Sequence, residues 1–378
     1  MSAPSILIAA GEASGDMHGA ALVRALRRRL PGVRLWGLGG PRMSSEGVEL
    51  LAGLDRLAVM GFAEVARHLP YFFFLMRRLR RELVERRPDL IILIDYPGLN
   101  MRLARAARAV GVPVLYYVAP QVWAWKRRRA RDLARTADRV AVILPFEPDV
   151  LRSAGVRAEF VGHPLMEERA RPLGREEFCA DLGLDPGRPL LAIFPGSRRQ
   201  EVSRHLETFA MAATMAAADS DAQTVVAQAA GVDDSQFEPA DAPRTRDAWT
   251  LLSHARAALI KSGTGTLQAA IAGTPMVVAY RTSAATFALA RRLVRVPHVS
   301  LVNLIADSEV VPEFLQERAD PATLADALRA LLRDGPTRSD MLAGLALVRA
   351  SLAAPGPLTP SERVAEMAAE LLQAAASS

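Results

Sequence analysis

Two groups of residues have the types and spacing to do chemistry, and the first group consists of carboxylates. Glu12 and Asp16 lie in the glycine-bearing stretch 11–16, directly after an apolar run, and Asp95 follows the apolar run 90–94. Carboxylates in these places would repel phosphate, but they can accept hydrogen bonds from sugar hydroxyls, and one of them could take the proton of an attacking hydroxyl. The alternative is that Glu12 and Asp16 only cap the helix that begins near Asp16.

The second group has the chemistry to bind an anion. Ser197 and Arg198 follow one apolar run, and the small residues Ser262, Gly263, Thr264 and Gly265 follow another and begin a predicted helix. Small residues at a helix N-terminus leave backbone N–H groups for an anion, and an arginine can bind a phosphate through two hydrogen bonds. Either cluster alone is also explained by a capped helix or a surface arginine. Together on one predicted domain, they favour a diphosphate site.

Residues 69–83 predict a helix with more aromatic side chains than its core-facing stripe needs. Phe72, Leu75, Leu79 and Leu83 form that stripe at helical spacing. The remaining aromatic and basic side chains are Tyr71, Phe73, Phe74, Arg77, Arg78, Arg80 and Arg81. Aromatics beside arginines are typical of a helix on an anionic membrane surface, so Phe73, Phe74, Arg77 and Arg81 are predicted to face a membrane. The alternative is a thickly buried helix whose arginines reach out to solvent.

The cysteine and histidine pattern predicts no metal site. The single cysteine, Cys179, excludes an intramolecular disulfide framework and a cysteine-based zinc site, which suits a reducing cytosol. No pair of histidines has metal-ligand spacing on a shared face. His163 ends a predicted strand and is either a site residue or a structural histidine. The other five histidines are expected to be solvated or structural.

Charge and hydropathy narrow the choice of partners. The formal net charge is +6, and only two of the 47 basic residues are lysines, Lys126 and Lys261. This balance is compatible with anionic lipid or phosphate partners, whereas no nucleic-acid-binding motif is present. No apolar run approaches the about 20 residues that a membrane-spanning helix needs. The first 16 residues predict a β-strand and turn rather than a signal peptide.

Apolar runs that alternate with amphipathic ones predict an α/β protein with two Rossmann-like, doubly wound domains and a cleft between them. We expect an N-terminal domain at 1–168 and a C-terminal domain at 186–353, joined by a charged crossing segment. Residues 354–378 predict a helix that begins with a capping box, Thr359 to Glu362. Its apolar stripe must pack on the N-terminal domain or on a partner chain, which makes a homodimer one candidate assembly.

An ordered series of motifs spans nearly the whole chain. It comprises GEASGD at 11–16, GGPRM at 39–43, LAVMGFAEV at 57–65, IDYPGLN at 94–100, VWAW at 122–125, LPFE at 144–147, GHPL at 162–165, PGSR at 195–198 with Glu201, SGTGTL at 262–267, PMVVAY at 275–280, SLVNLIA at 300–306 and PEFLQ at 312–316. In these motifs the chain resembles the lipid-A-disaccharide synthases, bacterial glycosyltransferases of the GT-B fold.

The resemblance implies a reaction and its substrates. The family transfers 2,3-diacylglucosamine from UDP-2,3-diacylglucosamine to 2,3-diacylglucosamine 1-phosphate, forms a β-1,6 linkage with inversion, releases UDP and uses no nucleotide-bound metal or other cofactor. It also implies a cytoplasmic enzyme that associates peripherally with the inner face of the cytoplasmic membrane. No nucleic acid partner is expected.

The resemblance also implies roles for particular residues. Asp95 is the preferred base on the acceptor 6-hydroxyl, with Glu12 and Asp16 as the other catalytic candidates. Arg198 and the turn from Ser262 to Thr266 would stabilise the departing diphosphate. The UDP-sugar pocket would be completed by Ser197, Gln268, Asn303, Glu313 and Gln316, and the acceptor-side loops by Ser14, Gly15, Met60 and Asn100.

Two positions depart from the family pattern. Gln268 stands where family members usually carry a glutamate that binds the ribose, and Leu99 replaces an aromatic residue in the loop after Asp95. Two alternatives remain open. One is another GT-B enzyme acting on a UDP-sugar, such as a different glycosyltransferase or a UDP-N-acetylglucosamine 2-epimerase-like protein. The other is a non-catalytic nucleotide-sugar-binding protein, which would not require Asp95.

Overall fold

The computed structural model describes residues 3–54, 62–123, 128–167, 171–229, 231–284, 286–288 and 296–376, with the backbone alone for 62–69 and 128. The chain divides into two compact units. The first contains Met1–Glu168 together with Leu352–Ser378, and the second contains Arg169–Ser351.

The first unit has a parallel sheet with the strand order β3-β2-β1-β4-β5-β6-β7 in the described residues. Its strands are β1 (Ser5–Ala10), β2 (Arg34–Leu38), β3 (Glu49–Ala52), β4 (Leu90–Ile94), β5 (Val114–Tyr117), β6 (Arg139–Val142) and β7 (Ala158–Phe160). Its helices are α1 (Ala13–Arg29), α2 (Pro41–Ser45), α3 (Phe62–Arg86), α4 (Pro97–Ala109), α5 (Arg128–Thr136) and α6 (Glu147–Arg152), and a 3₁₀ turn spans Pro164–Met166.

Strands β1 and β4 lie at the centre of this sheet, and all their residues are buried. Leu7 and Ile91 belong to the core on one face of the sheet, while Ile6 and Ile92 belong to the core on the other. Burial on both faces explains why these strands are continuously apolar. The register pairs Ala10 with Ile94, so the residues that follow the two strands emerge side by side.

The second unit repeats this arrangement with the strand order β10-β9-β8-β11-β12-β13 in the described residues, again parallel. Its strands are β8 (Leu190–Phe194), β9 (Gln223–Ala227), β10 (Arg244–Thr245), β11 (Ala255–Lys261), β12 (Met276–Tyr280) and β13 (Glu313–Leu315). Its helices are α7 (Arg175–Asp181), α8 (Arg199–Ala217), α9 (Ala248–His254), α10 (Thr264–Ala272), α11 (Leu301–Ala306), α12 (Pro321–Leu332) and α13 (Pro336–Ser351), with 3₁₀ turns at Asp234–Ala240 and Gln316–Arg318.

The start of the second unit differs from the sequence expectation, whereas the first unit ends at Glu168, where the N-terminal domain was predicted to end. The predicted crossing segment contains α7, and Phe178 and Cys179 of this helix are buried within the second unit. That unit therefore begins at Arg169 rather than at 186. An amphipathic helix needs a surface to cover its apolar side chains, and the core of the second unit supplies it.

The tail helix α14 (Pro360–Ala376) belongs to the first unit, where it packs against α1. Val364, Met367 and Ala368 are buried in the same core as Ile6 and Ile8. The capping box is confirmed, because the Thr359 N–H donates to Glu362 Oε2 at 3.0 Å and the Glu362 N–H donates to Thr359 Oγ1 at 3.3 Å.

Candidate functional site

In both units the order of the strands reverses between the two central strands. In doubly wound sheets, ligands bind beyond the carboxyl ends of the strands at such a point. In the first unit, Gly11 and Asp95 follow β1 and β4 there. In the second unit, Pro195 follows β8 and Ser262 follows β11. The residues that the sequence analysis identified as candidates for catalysis or anion binding therefore flank the edge of each sheet at which ligands bind in this class of fold.

Gly11 is required by close packing at the first of these edges. A Cβ atom at this position would occupy the space of the Tyr96 ring. Asp95 and Tyr96 both have a φ of +46°, in the left-handed region that non-glycine residues rarely adopt. The sharp turn after β4 is held in place by tertiary contacts, and it brings the Asp95 side chain to the sheet edge.

The backbone of Asp95 is fixed on three sides. Its N–H donates to the Tyr117 carbonyl at 2.9 Å, and its carbonyl accepts from Asn100 Nδ2 at 2.8 Å and from the Tyr116 hydroxyl at 2.7 Å. Asn100 is buried and also donates to the Ala9 and Ile94 carbonyls. Asn100 therefore joins the ends of β1 and β4 and supports Asp95, so its amide N–H groups are used within the protein.

The environment of Asp95 favours its neutral form. Burial is the main cause that raises the pKa of this carboxyl to about 6, and the nearby Glu12 carboxylate adds to it. The Tyr96 N–H and the charge of His18 act in the opposite direction. A carboxyl with a pKa of about 6 is still ionised at neutral pH and is a stronger base than an ordinary aspartate.

Asp16 is not available for catalysis, which corrects its assignment as a catalytic candidate. It is buried, and its carboxylate accepts hydrogen bonds from the N–H groups of Gly40 at 2.8 Å, Met43 at 3.0 Å and Arg42 at 3.1 Å. The capping interpretation is also wrong in its location, because Asp16 caps α2 instead of its own helix. Helix α1 begins at Ala13, and Glu12 makes no side-chain hydrogen bond to its end.

Ser14 and Gly15 lie in the first turn of α1, where Ser14 is exposed and Gly15 is buried. A Cβ at Gly15 would lie 3.2 Å from the Ala10 Cβ, so this glycine lets α1 pack closely on the end of β1. Met60, the remaining acceptor-side candidate, lies outside the described residues.

A buried carboxyl near Asp95 was missed by sequence reasoning. Glu147 accepts hydrogen bonds from the Leu144 N–H at 3.0 Å, the Ile143 N–H at 3.2 Å and Trp123 Nε1 at 3.1 Å. Burial raises the pKa of Glu147 to about 7 against the effect of these hydrogen bonds, and the charge of Asp95 contributes to the rise. Its place beyond β6, in the stretch LPFE, was the signal that could have identified it.

His163 is a structural residue of the first unit. Its Nδ1 accepts a hydrogen bond from the Leu165 N–H at 3.2 Å, so it caps the 3₁₀ turn Pro164–Met166. Burial is the main cause that lowers its pKa to about 3, and His163 is therefore neutral at physiological pH. This contact gives His163 a structural role, which is one of the two roles that the sequence left open.

Glu201 organises the loop that follows β8. Its Oε2 accepts from the Ser197 N–H at 3.0 Å, and its Oε1 accepts from Arg198 Nη1 at 3.2 Å and from Lys261 Nζ at 2.7 Å. Burial raises the pKa of Glu201, but the hydrogen bond and charge of Lys261 and the other two donors hold it below its usual value. Ser197 and Arg198 are exposed, whereas Glu201 is largely covered.

In the turn after β11, the hydroxyl groups of Ser262 and Thr266 are used within the protein, whereas Thr264 is exposed. The Ser262 hydroxyl donates to the Val299 carbonyl at 2.8 Å, and the Thr266 hydroxyl donates to the Gly263 carbonyl at 2.7 Å. Within the described part of the chain, no acceptor is found for the N–H groups of Thr264 and Gly265 at the start of α10. An anion at this end would therefore bind through these backbone groups and the helix dipole.

Three expected pocket residues are used in internal hydrogen bonds. Asn303 is fully buried. Its amide N–H groups donate to the Val311 carbonyl and to Glu313 Oε1, and its amide oxygen accepts from the Val310 and Val311 N–H groups. These four hydrogen bonds leave the amide no capacity for a ligand. This corrects its assignment as a pocket-lining residue.

Glu313 and Gln316 also hold nearby chain segments. Glu313 accepts from the Val299 and Ser300 N–H groups at 2.8 Å each. The Gln316 amide accepts from the Thr282 N–H at 2.7 Å and donates to the Thr282 carbonyl at 3.0 Å. Gln268, by contrast, is half-buried on α10, with no side-chain hydrogen bond among the described residues.

Helix α3 exposes the two phenylalanines predicted to face a membrane. Phe73 is 65% exposed and Phe74 is 66% exposed, while Leu75, Leu79 and Leu83 are buried in the core. The interpretation of a thickly buried helix is thus wrong for this face. Tyr71 is not surplus, however, because it packs against the core.

The basic residues of α3 also differ in their contacts. Arg77 is exposed, and Arg81 pairs with Glu85 at 2.7 Å. Arg78 donates to the Leu51 carbonyl at 2.8 Å and helps to line a cavity of 410 Å³ with Phe74. Among the described helices, none is long and apolar enough to cross a membrane. The described side chains also contain no cluster of three or more His, Cys, Asp or Glu that could hold a metal ion.

The chain has two Rossmann-like units, and each carries candidate functional residues at its switch point, the place where the strand order reverses. This is the GT-B architecture, and solved structures share the fold. The calicheamicin glycosyltransferase CalG4 has a TM-score of 0.63 at 20% identity and covers 99% of both chains. MurG from Acinetobacter baumannii has a TM-score of 0.57 at 14% identity, covering 97% of this chain and 99% of its own. A UDP-GlcNAc 2-epimerase from Neisseria meningitidis gives 0.63 at 11% identity, covering 98% of this chain and 100% of its own.

The sequence comparison is more specific than the fold. The family model for lipid-A-disaccharide synthetase matches residues 6–348, and the chain belongs to this family of glycosyltransferases. The lipid-A-disaccharide synthase of Acidobacterium capsulatum is 42% identical, with 98% of this chain and 97% of the relative covered. That of Geobacter sulfurreducens is 41% identical, with 97% of each covered.

Proposed function

We propose that this protein transfers 2,3-diacylglucosamine from UDP-2,3-diacylglucosamine to the 6-hydroxyl of 2,3-diacylglucosamine 1-phosphate, giving the β-1,6-linked disaccharide 1-phosphate and UDP. The observation that carries the proposal is the Asp95 carboxyl, which lies at the switch point of the first unit with its pKa raised to about 6. Family membership supports the choice of substrates.

In the proposed mechanism Asp95 removes the proton of the acceptor hydroxyl as its oxygen attacks the anomeric carbon. The attack takes place on the face opposite the UDP group, so a single displacement inverts the anomeric configuration. Glu12 is the alternative base, because it lies close enough to influence the pKa of Asp95.

The negative charge that develops on the leaving UDP is proposed to be stabilised in the second unit. Arg198 supplies a guanidinium, and Thr264 and Gly265 supply backbone N–H groups at the start of α10. These fixed donors can act on developing charge as a metal ion would, and we propose that the reaction needs no added metal.

The acylated substrates imply that the enzyme works at a lipid surface. We propose that α3 contacts the inner face of the cytoplasmic membrane through Phe73 and Phe74, with Arg77 and Arg81 near anionic headgroups. Exposed aromatic rings beside basic residues support this role, since the rings gain from entering the acyl boundary and the arginines gain from the negative surface.

Reconstitution of the reaction tests the proposal. Purified protein is incubated with both acylated sugars, UDP release is measured, and the disaccharide is examined by mass spectrometry and NMR for the configuration of its linkage. We expect stoichiometric UDP and a β-1,6 product, with the rate unchanged by EDTA. Loss of the rate in EDTA and its recovery with magnesium would contradict the metal-free mechanism. Interconversion of UDP-N-acetylglucosamine without transfer would point to an epimerase.

A further inference from the structure

Lys261 occupies a special position in the second unit. It is the last residue of β11 and directly precedes the Ser262–Thr266 turn, at the switch point of the sheet. Only two of the 47 basic residues are lysines, so this position departs from the arginine that the chain uses almost everywhere else. Lysine carries a compact point charge on a flexible stem, whereas arginine carries a broad planar fork.

The Lys261 ammonium is held at the anion-binding edge. Nζ lies 2.7 Å from Glu201 Oε1 and 5.3 Å from the centroid of the Tyr280 ring. It is also 3.7 Å from the point that a Cβ on Gly263 would occupy, which places it beside the turn that begins α10. The Lys261 side chain is 14% exposed and that of Glu201 is 15% exposed, so the pair is largely shielded from solvent.

Three donors converge on the Glu201 carboxylate, and all three could serve a phosphate. The Ser197 N–H and the Arg198 guanidinium come from the loop after β8, and the Lys261 ammonium comes from the end of β11. One carboxylate faces two cations, which leaves one positive charge in excess. A diphosphate offers the same kind of oxygen acceptors with more negative charge, and it would compete with Glu201 for these donors.

We propose that Lys261 is a further diphosphate-binding residue, and that Glu201 is a positioning residue that holds the Lys261 ammonium and the Ser197–Arg198 loop before the nucleotide arrives. This inference rests on the proposed function, since it assigns a cation to the diphosphate of the UDP-sugar. It gives the second unit a second positive charge, besides Arg198, to neutralise the leaving group.

The obvious variant, Lys261→Met, leaves the Glu201 carboxylate without its main partner and could destabilise the unit for that reason alone. The test therefore uses Glu201→Gln as the reference and adds Lys261→Met to it. Calorimetry measures the affinity of each protein for UDP, for inorganic pyrophosphate and for uridine. Circular dichroism checks that the variants are folded.

We expect Lys261→Met to weaken the binding of UDP and pyrophosphate by about tenfold or more in the Glu201→Gln background, because a charge-assisted contact is lost. Uridine binding should be unchanged, since uridine has no phosphate. Equal affinity of the reference and the double variant for pyrophosphate would overturn the proposal, because Lys261 would then serve only to neutralise Glu201.

Arg188→Gln is the matched control. Arg188 precedes β8, at the opposite edge of the same sheet, and pairs with Asp221 at 2.7 Å. The substitution Arg188→Gln removes one positive charge from the unit and should leave the affinity for pyrophosphate unaltered. A wild-type protein that binds pyrophosphate but not UDP would contradict the proposed function, while the pyrophosphate comparison would still decide the role of Lys261.

Discussion

At the scale of single residues, identical side-chain types have different roles because their surroundings differ. Asp16 and Asp95 both lie beyond a central strand of the first sheet. Backbone N–H groups of the α2 end bind the Asp16 carboxylate, whereas burial raises the pKa of Asp95 to about 6. Only the second arrangement leaves a carboxylate suited to take a proton.

Asp95→Asn should lower the maximal rate by about 10²-fold or more, because the amide keeps the shape but cannot act as a base. The fold should be kept, since the backbone of Asp95, not its side chain, binds Asn100 and Tyr116. Steady-state kinetics and a thermal melt check both statements. Asp16→Asn is the matched control for the thermal melt. It should lower the free energy of unfolding by about 1 kcal/mol or more, because the Asp16 carboxylate accepts three backbone hydrogen bonds. A near-normal rate for Asp95→Asn would transfer the base to Glu12.

The rate should also depend on pH through Asp95. A base must be deprotonated to act, and the pKa of this carboxyl is raised from its ordinary value to about 6. The rate is therefore expected to be constant above about pH 7 and to fall with decreasing pH through about 6. A pH profile of kcat/KM measures this. A profile that stays flat down to about pH 4, the ordinary range of aspartate, would contradict the assignment.

Gln268 gives a prediction about nucleotide affinity. A glutamate accepts hydrogen bonds from both ribose hydroxyls, whereas an amide offers one acceptor oxygen, and the difference is on the order of 1 kcal/mol. Gln268→Glu should therefore tighten UDP binding by a few-fold and leave the maximal rate nearly unchanged. Calorimetric titration with UDP measures the change. Weaker binding by the variant would show that Gln268 does not contact the ribose.

At the scale of elements, α3 packs against the core with one face and exposes aromatic side chains on another. Its face with Leu75, Leu79 and Leu83 completes the core, while Phe73 and Phe74 face outward with their ring centroids 5.9 Å apart. A helix can do this because residues four apart, such as Leu75, Leu79 and Leu83, share one face, and Phe73 and Phe74 lie outside that face. The proposed membrane contact therefore depends on two side chains that are mostly exposed and are not part of the buried core.

Changing both Phe73 and Phe74 to serine should release the protein from vesicles of anionic phospholipid, lowering the affinity by about tenfold or more through lost apolar contact. The melting temperature should stay the same, because both rings are mostly exposed. Vesicle sedimentation measures the binding. Val84→Ser, at an exposed position further along α3, is the control and should bind as the wild type does. Unfolding of the double variant would show that the rings stabilise the core.

At the scale of the whole molecule, the first unit is completed by the end of the chain. Helix α14 comes after the whole second unit in sequence. Its side chains Val364, Met367 and Ala368 are nevertheless buried in the same core as strand β1 of the first unit. Arg139 of β6 pairs with Glu370 of α14 at 2.7 Å, which ties the tail to the sheet. The first unit therefore depends on both ends of the chain for its core.

Met367→Ala should lower the free energy of unfolding of the first unit by about 2–5 kcal/mol, because it removes a fully buried side chain from the core and leaves a cavity. Chemical denaturation measures the change. Leu347→Ala, at a 73% exposed position of α13, should change stability by less than about 0.5 kcal/mol. A small effect of Met367→Ala would show that α14 is not integral to this core.

The sequence by itself determined the class of fold and the places where chemistry could occur. Continuous apolar runs predicted parallel strands, and residues such as Asp95, Arg198 and Ser262 followed those runs. Because parallel strands end at one edge of their sheet, these residues had to lie at the two binding edges. The capping box of Thr359 and Glu362 was also predictable, since all its atoms come from one helical turn.

Only the tertiary structure decided which of these residues are free to act. Asp16 is occupied by backbone groups 24 to 27 residues away, and Glu201 is paired with a lysine 60 residues further along the chain. The burial that raises the pKa values of Asp95 and Glu147 likewise depends on packing by several elements. Local sequence patterns determine the spacing of apolar residues and the direction in which each side chain points. The partners of a side chain and its exposure to water are set by segments that meet only when the chain has folded.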